Sequence, residues 1–158
     1  MQPLDLIATA RRLVGRGRKG QPRQSDLKRA LSTAYYAMFH ALCRNSADSF
    51  VGGTITNRSQ SAWTQAYRAV EHGFAKNQCR NSLVMDKFPI DIQGFADAFT
   101  TLQETRHMAD YDPTLKLTRS YVLTEIDTSE VAIKKLQKSN IKDRRSFAVW
   151  TVMKKRPV

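Results

Sequence analysis

The sequence is poor in the residues that mark secreted, disordered and membrane-spanning chains. Its 158 residues include two cysteines, five prolines and seven glycines. Cys43 and Cys79 have neither the paired spacing of a zinc site nor the density of a disulfide scaffold, which favours reduced thiols in or near a core over a disulfide. The apolar residues near the N-terminus are separated by polar ones. We therefore expect no signal peptide and no membrane anchor, and a microbial cytoplasm as the location.

Several motifs of enzyme chemistry are also missing. There is no glycine-rich phosphate loop, no nucleophile elbow and no pair of catalytic carboxylates in the sequence. His40, His72 and His107 stand far apart, without the spacing of metal ligands, and lone helical histidines are more often hydrogen-bonded residues of a core or its edge. The sequence therefore predicts no metal site and no cofactor.

Basic charge is what the chain has in excess, with a formal net charge of +12 at pH 7. Residues 1–29 carry eight Lys and Arg against two Asp, and residues 134–158 carry nine against one. The middle of the chain is nearly balanced, with nine basic residues against eleven acidic ones. Basic clusters at the two ends can attract RNA, DNA or an acidic protein. The alternative is a solvated surface that only keeps the protein soluble.

Helical spacing of apolar residues predicts one all-α domain, and no alternating strand pattern persists. The predicted helices cover residues 3–16, 25–42, from 57 or 59 to 73–81, about 92–109 and about 120–139, with a basic loop at Gly15–Pro22 and a connecting loop through Pro89. In the third helix, one face is expected to comprise Ala62, Ala66, Ala69, Val70 and Phe74, with Trp63 and Tyr67 at its edge. Residues 1–140 form the predicted bundle. Residues 141–158, a basic tail or short helix, are expected to fold back onto it or to contact a partner.

The segment Arg106-His107-Met108-Ala109-Asp110-Tyr111 closes the predicted fourth helix. Arg106 continues an apolar stripe, so its guanidinium should emerge beside the core, with Asp110 one turn further on. The two can form an ion pair, but Asp is disfavoured at a helix C-terminus because the helix dipole is negative there. We therefore expect a further donor or cation near Asp110, either as part of the fold or as part of a ligand.

Two segments together resemble the HEPN superfamily (higher eukaryote and prokaryote nucleotide-binding). One is Ala30-Leu31-Ser32-Thr33-Ala34-Tyr35-Tyr36-Ala37-Met38-Phe39-His40-Ala41-Leu42, and the other is Arg106-His107-Met108-Ala109-Asp110-Tyr111. The tyrosine pair on one helix and the arginine followed by Ala-Asp-Tyr on a later one are similar to those of small bacterial members. Between these two segments, the set of Trp63, Tyr67-Arg68 and His72 is similar to residues that uncharacterised proteobacterial members carry. The resemblance covers about residues 5–138.

The resemblance implies an antiparallel four- or five-helix bundle, often a homodimer in which the arginine motif faces the partner across a cleft. Many members are metal-independent endoribonucleases, frequently toxins paired with a nucleotidyltransferase-like antitoxin, and others are noncatalytic binding modules. The implied binding residues for RNA or a nucleotide are Arg106, Tyr35, Tyr36, His40, Arg68 and His72. The candidate catalytic residues are Arg106, His107, Asp110 and Tyr111.

The ribonuclease motif of the family is only half present. In that motif four to six residues separate an arginine from a histidine, and this chain has Tyr111, Asp112 and Pro113 where the histidine is expected after Arg106. Cleavage through the 2′-hydroxyl needs a group that titrates near neutrality, and arginine cannot give up its proton. His107 lies about 100° around the helix from Arg106, so it does not simply substitute. The sequence thus favours phosphate binding. The alternative functions are a nonenzymatic dimeric interaction module and a ribonuclease that uses His107 or His40.

Overall fold

The structure is a computed structural model that describes residues 1–15, 20 and 22–158. Its helices are α1 (Pro3–Gly15), α2 (Gln24–Phe50), α3 (Gln60–Arg68), α4 (His72–Arg80), α5 (Ser82–Met85), α6 (Ile90–Tyr111), α7 (Arg119–Lys138) and α8 (Ile141–Val152), with a 3₁₀ turn at Ile55–Asn57. No strand occurs in these residues, and the predicted all-α class is confirmed. Within the same residues no helix is both long and apolar enough to cross a bilayer. The predicted loop at Gly15–Pro22 lies largely outside them.

Helix α2 is the centre of the fold, because it packs against α1, α3, α6, α7 and α8. A stripe of alanines on α2 is buried within the chain, and so is a stripe of larger apolar residues. The alanine stripe consists of Ala30, Ala34, Ala37 and Ala41. Small side chains at helical spacing let neighbouring helices approach closely, while Leu31, Tyr35, Met38 and Leu42 fill the volume between them. A stripe of this kind would also let a second copy of the chain pack along α2. The chain covers that stripe itself, so a dimer would have to use another face.

Helix α2 is longer than the sequence predicted, since it continues past Leu42 to Phe50. The predicted helix ended at Leu42, and several polar residues follow it in the sequence. Two of them are buried with their hydrogen bonds satisfied: the Ser46 hydroxyl donates to the Leu42 carbonyl oxygen at 3.1 Å, and the Asn45 amide donates to the Arg144 carbonyl oxygen at 3.0 Å. Polar side chains with partners can enter a core at little cost. The helix ends where Gly52 adopts a positive φ of 130°.

The predicted third helix is wrong in its extent, because two helices, α3 and α4, occupy that region, and α5 lies in the predicted connecting loop. Residues Tyr67 and His72 are five positions apart, which is about 140° around a continuous helix. The break at Ala69–Glu71 allows both side chains to reach α2, where Tyr67 meets His40 and His72 meets Tyr35. Trp63 and Tyr67, expected at the edge, are therefore the side chains that join α3 to α2.

The C-terminal segment folds onto the bundle as helix α8. The Asn140 side chain caps it by accepting a hydrogen bond of 2.8 Å from the Lys142 amide. Phe147 is fully buried, and its ring packs edge-on against Phe88 and Phe95 at centroid distances of 5.6 and 6.0 Å. Helix α8 is thus part of the core, and only the residues after Val152 extend beyond it.

Candidate nucleic-acid interface

Arg106 lies on α6 with its guanidinium held over the two tyrosines of α2. Its Cζ atom is 5.2 Å from the ring centre of Tyr35 and 5.3 Å from that of Tyr36, distances typical of cation–π contacts. Its Nε donates to Asp110 Oδ2 at 3.0 Å, and the side chain keeps 24% of its surface exposed. Neither terminal nitrogen has a hydrogen-bond acceptor among the described residues. The guanidinium is therefore fixed on one side and open to a ligand on the other.

Asp110 has the additional donor that its unfavourable position at the helix end led us to expect. Ser32 on α2 donates its hydroxyl to Asp110 Oδ1 at 3.2 Å, while Arg106 binds Oδ2. One carboxylate therefore bridges α2 and α6 and fixes the guanidinium between them. The partner is a protein side chain, so Asp110 needs no ligand to explain its place.

Next to Arg106, a second contact network joins α4 to α2. The hydroxyl of Tyr35 and Nδ1 of His72 share a hydrogen bond of 2.6 Å, and the His72 ring stacks on Phe39 with 3.5 Å between centroids. Tyr35 is 0% exposed, so it offers no surface to a ligand and acts by fixing Arg106 and His72. Burial raises the pKa of the Tyr35 hydroxyl, which therefore stays protonated.

The network continues from His40 on α2 to α3. His40 Nδ1 and the Tyr67 hydroxyl share a short hydrogen bond, and burial raises the pKa of Tyr67 to about 12. Trp63, whose ring lies beside that of Tyr67, donates its indole N–H to Asp48 Oδ1 at 2.8 Å. Aromatic side chains with satisfied polar tips thus fix α3 against α2 over most of its length.

Both histidines in this network are held neutral. The pKa of His72 is lowered by burial first, then by the positive charge of Arg106, and last by repulsion from the His40 ring in its protonated form. The pKa of His40 is lowered by burial and then by the N-terminal ammonium group. A neutral imidazole can accept a proton, so His72, which is bonded to Tyr35 beneath the Arg106 guanidinium, is a potential base.

The remaining predicted residues lie on the surface. His107 and Tyr111 are exposed and contact each other one turn apart on α6, with 4.7 Å between ring centres. Tyr36 is partly exposed, and Arg68 is exposed at the end of α3 without a contact to the Arg106 group among the described residues. The structure thus brings Arg106, Asp110, Tyr35, Tyr36 and His72 together and keeps Arg68 apart.

Sequence reasoning missed Phe39, Ser32 and the polar end of α2. Ser32, Tyr36, His40, Arg44 and Asp48 follow one another at intervals of four residues, so they form one row along α2. The first four face the solvent or the short helices rather than the deepest core, and each makes or adjoins a polar contact. That spacing was visible in the sequence and could have identified the row.

Acidification is expected to destabilise the protein through His72 and His40. Their pKa values are lowered in the folded state, so the unfolded chain takes up protons first as the pH falls below 6.5. The stabilisation is complete above that pH and is lost below it. Between about pH 7.5 and about pH 5, the melting temperature should fall less in a His40→Gln/His72→Gln variant than in the unmodified protein. An identical fall in both would contradict the assignment of the two shifted pKa values.

Comparisons of this chain with protein-family models, with curated proteins and with solved structures give no match.

Proposed function

We propose that this protein is a HEPN-like antiparallel helical bundle that binds RNA through Arg106 and the surface around it. The observation that carries the proposal is the state of the Arg106 guanidinium. It is anchored through Nε by Asp110 and packed over two tyrosine rings, while its terminal nitrogens have no acceptor among the described residues. Such a prepositioned guanidinium suits a phosphate group, which it can bind through two parallel N–H donors.

The neighbouring aromatic side chains favour RNA over a phosphate group alone. Tyr36 and Tyr111 are both large and exposed, Tyr111 to 73% of its surface. Tyr36 contacts the Arg106 guanidinium from α2, and Tyr111 lies beyond it at the end of α6, against His107. Unpaired bases stack on exposed aromatic rings with little regard to sequence. A single strand with one phosphate on Arg106 and a base on Tyr36 would use two side chains that touch each other.

The basic ends of the chain supply the attraction over longer distances. Residues Lys154, Lys155 and Arg156 are exposed after α8, and the net charge of the whole chain is +12. Deleting the tail would test folding as much as binding, because Phe147 in α8 is fully buried. Substituting these three exposed residues removes their charge and leaves the buried part of α8 in place, so it tests binding more specifically than the deletion does.

Affinity for single-stranded RNA is expected to fall steeply with salt, by roughly 10³-fold between about 50 and about 200 mM for several phosphate contacts. Replacing Lys154, Lys155 and Arg156 by Gln should make the slope of log K against log salt shallower by about one for each of these cations that touches a phosphate. The matched control replaces Lys76, Arg80 and Lys87, from the charge-balanced middle of the chain. RNA affinity that is absent at low salt, or equally affected by both triple variants, would contradict the proposal.

A second candidate function is metal-independent cleavage of RNA, favoured by the position of His72. Helix α4 brings this neutral histidine to Tyr35, over whose ring the Arg106 guanidinium lies. His107 and His40 are less suited, because His107 contacts Tyr111 on the outer surface and His40 is bonded to Tyr67. We expect binding without cleavage. RNA fragments that appear with the unmodified protein, and not with His72→Gln, would favour the ribonuclease.

The family resemblance adds partners to the proposal. A toxin-like member would pair with a nucleotidyltransferase-like antitoxin, and a homodimer would share the face around Arg106. The exposed Met108 and Tyr111 on the outer surface of α6 favour a protein contact there as the alternative function, a nonenzymatic dimeric interaction module. A dimer in solution that binds no RNA, and that dissociates on Tyr111→Ser, would favour this alternative.

A further inference from the structure

A second arginine site lies at the other end of α2, away from Arg106. A cavity of about 190 Å³ opens between α2, α7 and α8. Arg44 and Asn45 on α2, Leu136 and Gln137 on α7, and Arg144 on α8 line it. Two guanidinium groups from different helices thus meet at one partly enclosed space.

Arg144 is held in place by its backbone while its side chain is unpaired. Its carbonyl oxygen accepts the Asn45 amide at 3.0 Å, and its amide N–H donates to the Asn140 carbonyl oxygen at 3.0 Å. Its Nε is buried without a hydrogen-bond partner, and its side chain forms no ion pair with a described residue. A buried charged donor without an acceptor is unfavourable, so an arginine kept in this state points to an acceptor that comes from outside.

The carboxylate nearest to this cavity is already engaged. Asp48, which also lines the cavity, accepts the Trp63 indole N–H at 2.8 Å and pairs with Arg58 at 3.5 Å. Arg58 stacks on the Trp63 ring at 4.5 Å and is largely buried. Arg44 approaches the other oxygen of Asp48 at 3.6 Å, too long for a hydrogen bond. The local balance of charge is therefore positive and suits an anion.

We propose that this cavity is a second phosphate-binding subsite, in which Arg44 and Arg144 hold a later phosphate of the RNA strand that Arg106 binds. The proposal rests on the RNA binding proposed above. Tyr36 and Arg44 stand eight residues apart in the same row, about 12 Å along the axis of α2. That distance corresponds to a few nucleotides of a single strand.

Inorganic phosphate tests the subsite independently of RNA. In an Arg106→Met background, phosphate should raise the melting temperature above that in chloride of equal ionic strength, because a ligand that binds only the folded state stabilises it. Arg144→Gln should abolish this rise. Arg44→Gln should also abolish it, because Arg44 lines the same cavity from α2. The control is Arg145→Gln, an exposed neighbour with the same change of charge, which should keep the rise. In chloride, the melting temperature of the Arg144→Gln variant should be no lower than that of the Arg106→Met background. A rise that survives Arg144→Gln, or an earlier melting in chloride, would overturn the subsite.

RNA of different lengths tests which ligand the subsite serves. In the otherwise unmodified protein, Arg144→Gln should lower the affinity for a single-stranded oligonucleotide about tenfold and leave the affinity for a mononucleotide unchanged. Arg106→Met should weaken both. If phosphate binding depends on Arg144 but oligonucleotide affinity does not, the anion site stands and its assignment to RNA is overturned. If the unmodified protein binds no RNA at all, the proposed function fails while the phosphate result still decides the anion site.

Discussion

Replacing Tyr35 by Ala is expected to lower the free energy of unfolding by about 3–5 kcal/mol. The side chain is fully buried, packs against Phe99 at 5.6 Å between ring centres, and fixes His72 through its hydroxyl. Its removal leaves a cavity where α2, α4 and α6 meet, and surrounding helices collapse only partly into such a space. Urea unfolding of the two proteins measures the difference.

The Tyr35→Phe variant separates the ring from its hydroxyl. It keeps the packing and the contact with Arg106 and removes only the hydrogen bond to His72, so the expected loss is about 1 kcal/mol. Its RNA affinity should equal that of the unmodified protein. If Tyr35→Phe were as destabilising as Tyr35→Ala, the hydrogen bond rather than the packing would dominate at this position. A loss well under 1 kcal/mol for Tyr35→Ala would contradict the burial of the ring.

The sequence contained enough to predict the long helices and the class of the fold. Apolar residues at intervals of three and four mark α1, α2, α6 and α7, because one face of each is buried against the others. The break between α3 and α4 was not predictable from spacing. It depends on the hydrogen bonds that join Tyr67 with His40 and His72 with Tyr35, and such tertiary contacts outweigh the continuity of a local pattern.

At the candidate site, contacts within one helix were predictable and contacts between helices were not. The spacing of four residues gave the pair of Arg106 and Asp110, which the structure contains. The donor expected near Asp110 is Ser32, but its identity depends on how α2 crosses α6. The contacts of His72 could not be predicted for the same reason. Its approach to Tyr35 and Phe39 depends on how α4 packs against α2, which the spacing of residues within one helix does not determine.

Arg106→Met is expected to leave the stability nearly unchanged and to remove most of the RNA affinity. The ion pair with Asp110 is partly exposed on both sides, at 24% and 32%, so its loss should cost about 1 kcal/mol or less. Methionine keeps much of the contact with the tyrosine rings. The double variant Arg106→Met/Asp110→Leu should be at least as stable as the Arg106→Met variant, because it leaves no unpaired carboxylate. Thermal unfolding of both variants checks this part of the prediction.

The matched control for binding is Arg80→Met. Arg80 pairs with Glu104, which lies two residues before Arg106 and therefore about 200° around α6. Both substitutions remove one positive charge and one ion pair at the same helix. Any difference in RNA affinity between the two variants then reports the position of the cation and not the net charge of the protein.

The most direct test is the fluorescence anisotropy of a labelled single-stranded RNA, titrated at low salt with the unmodified protein, Arg106→Met and Arg80→Met. Loss of a charge-assisted hydrogen bond to phosphate predicts binding that is about tenfold or more weaker for Arg106→Met, and nearly unchanged binding for Arg80→Met. Equal affinities for the two folded variants would contradict the assignment of Arg106 as the residue that holds the RNA backbone.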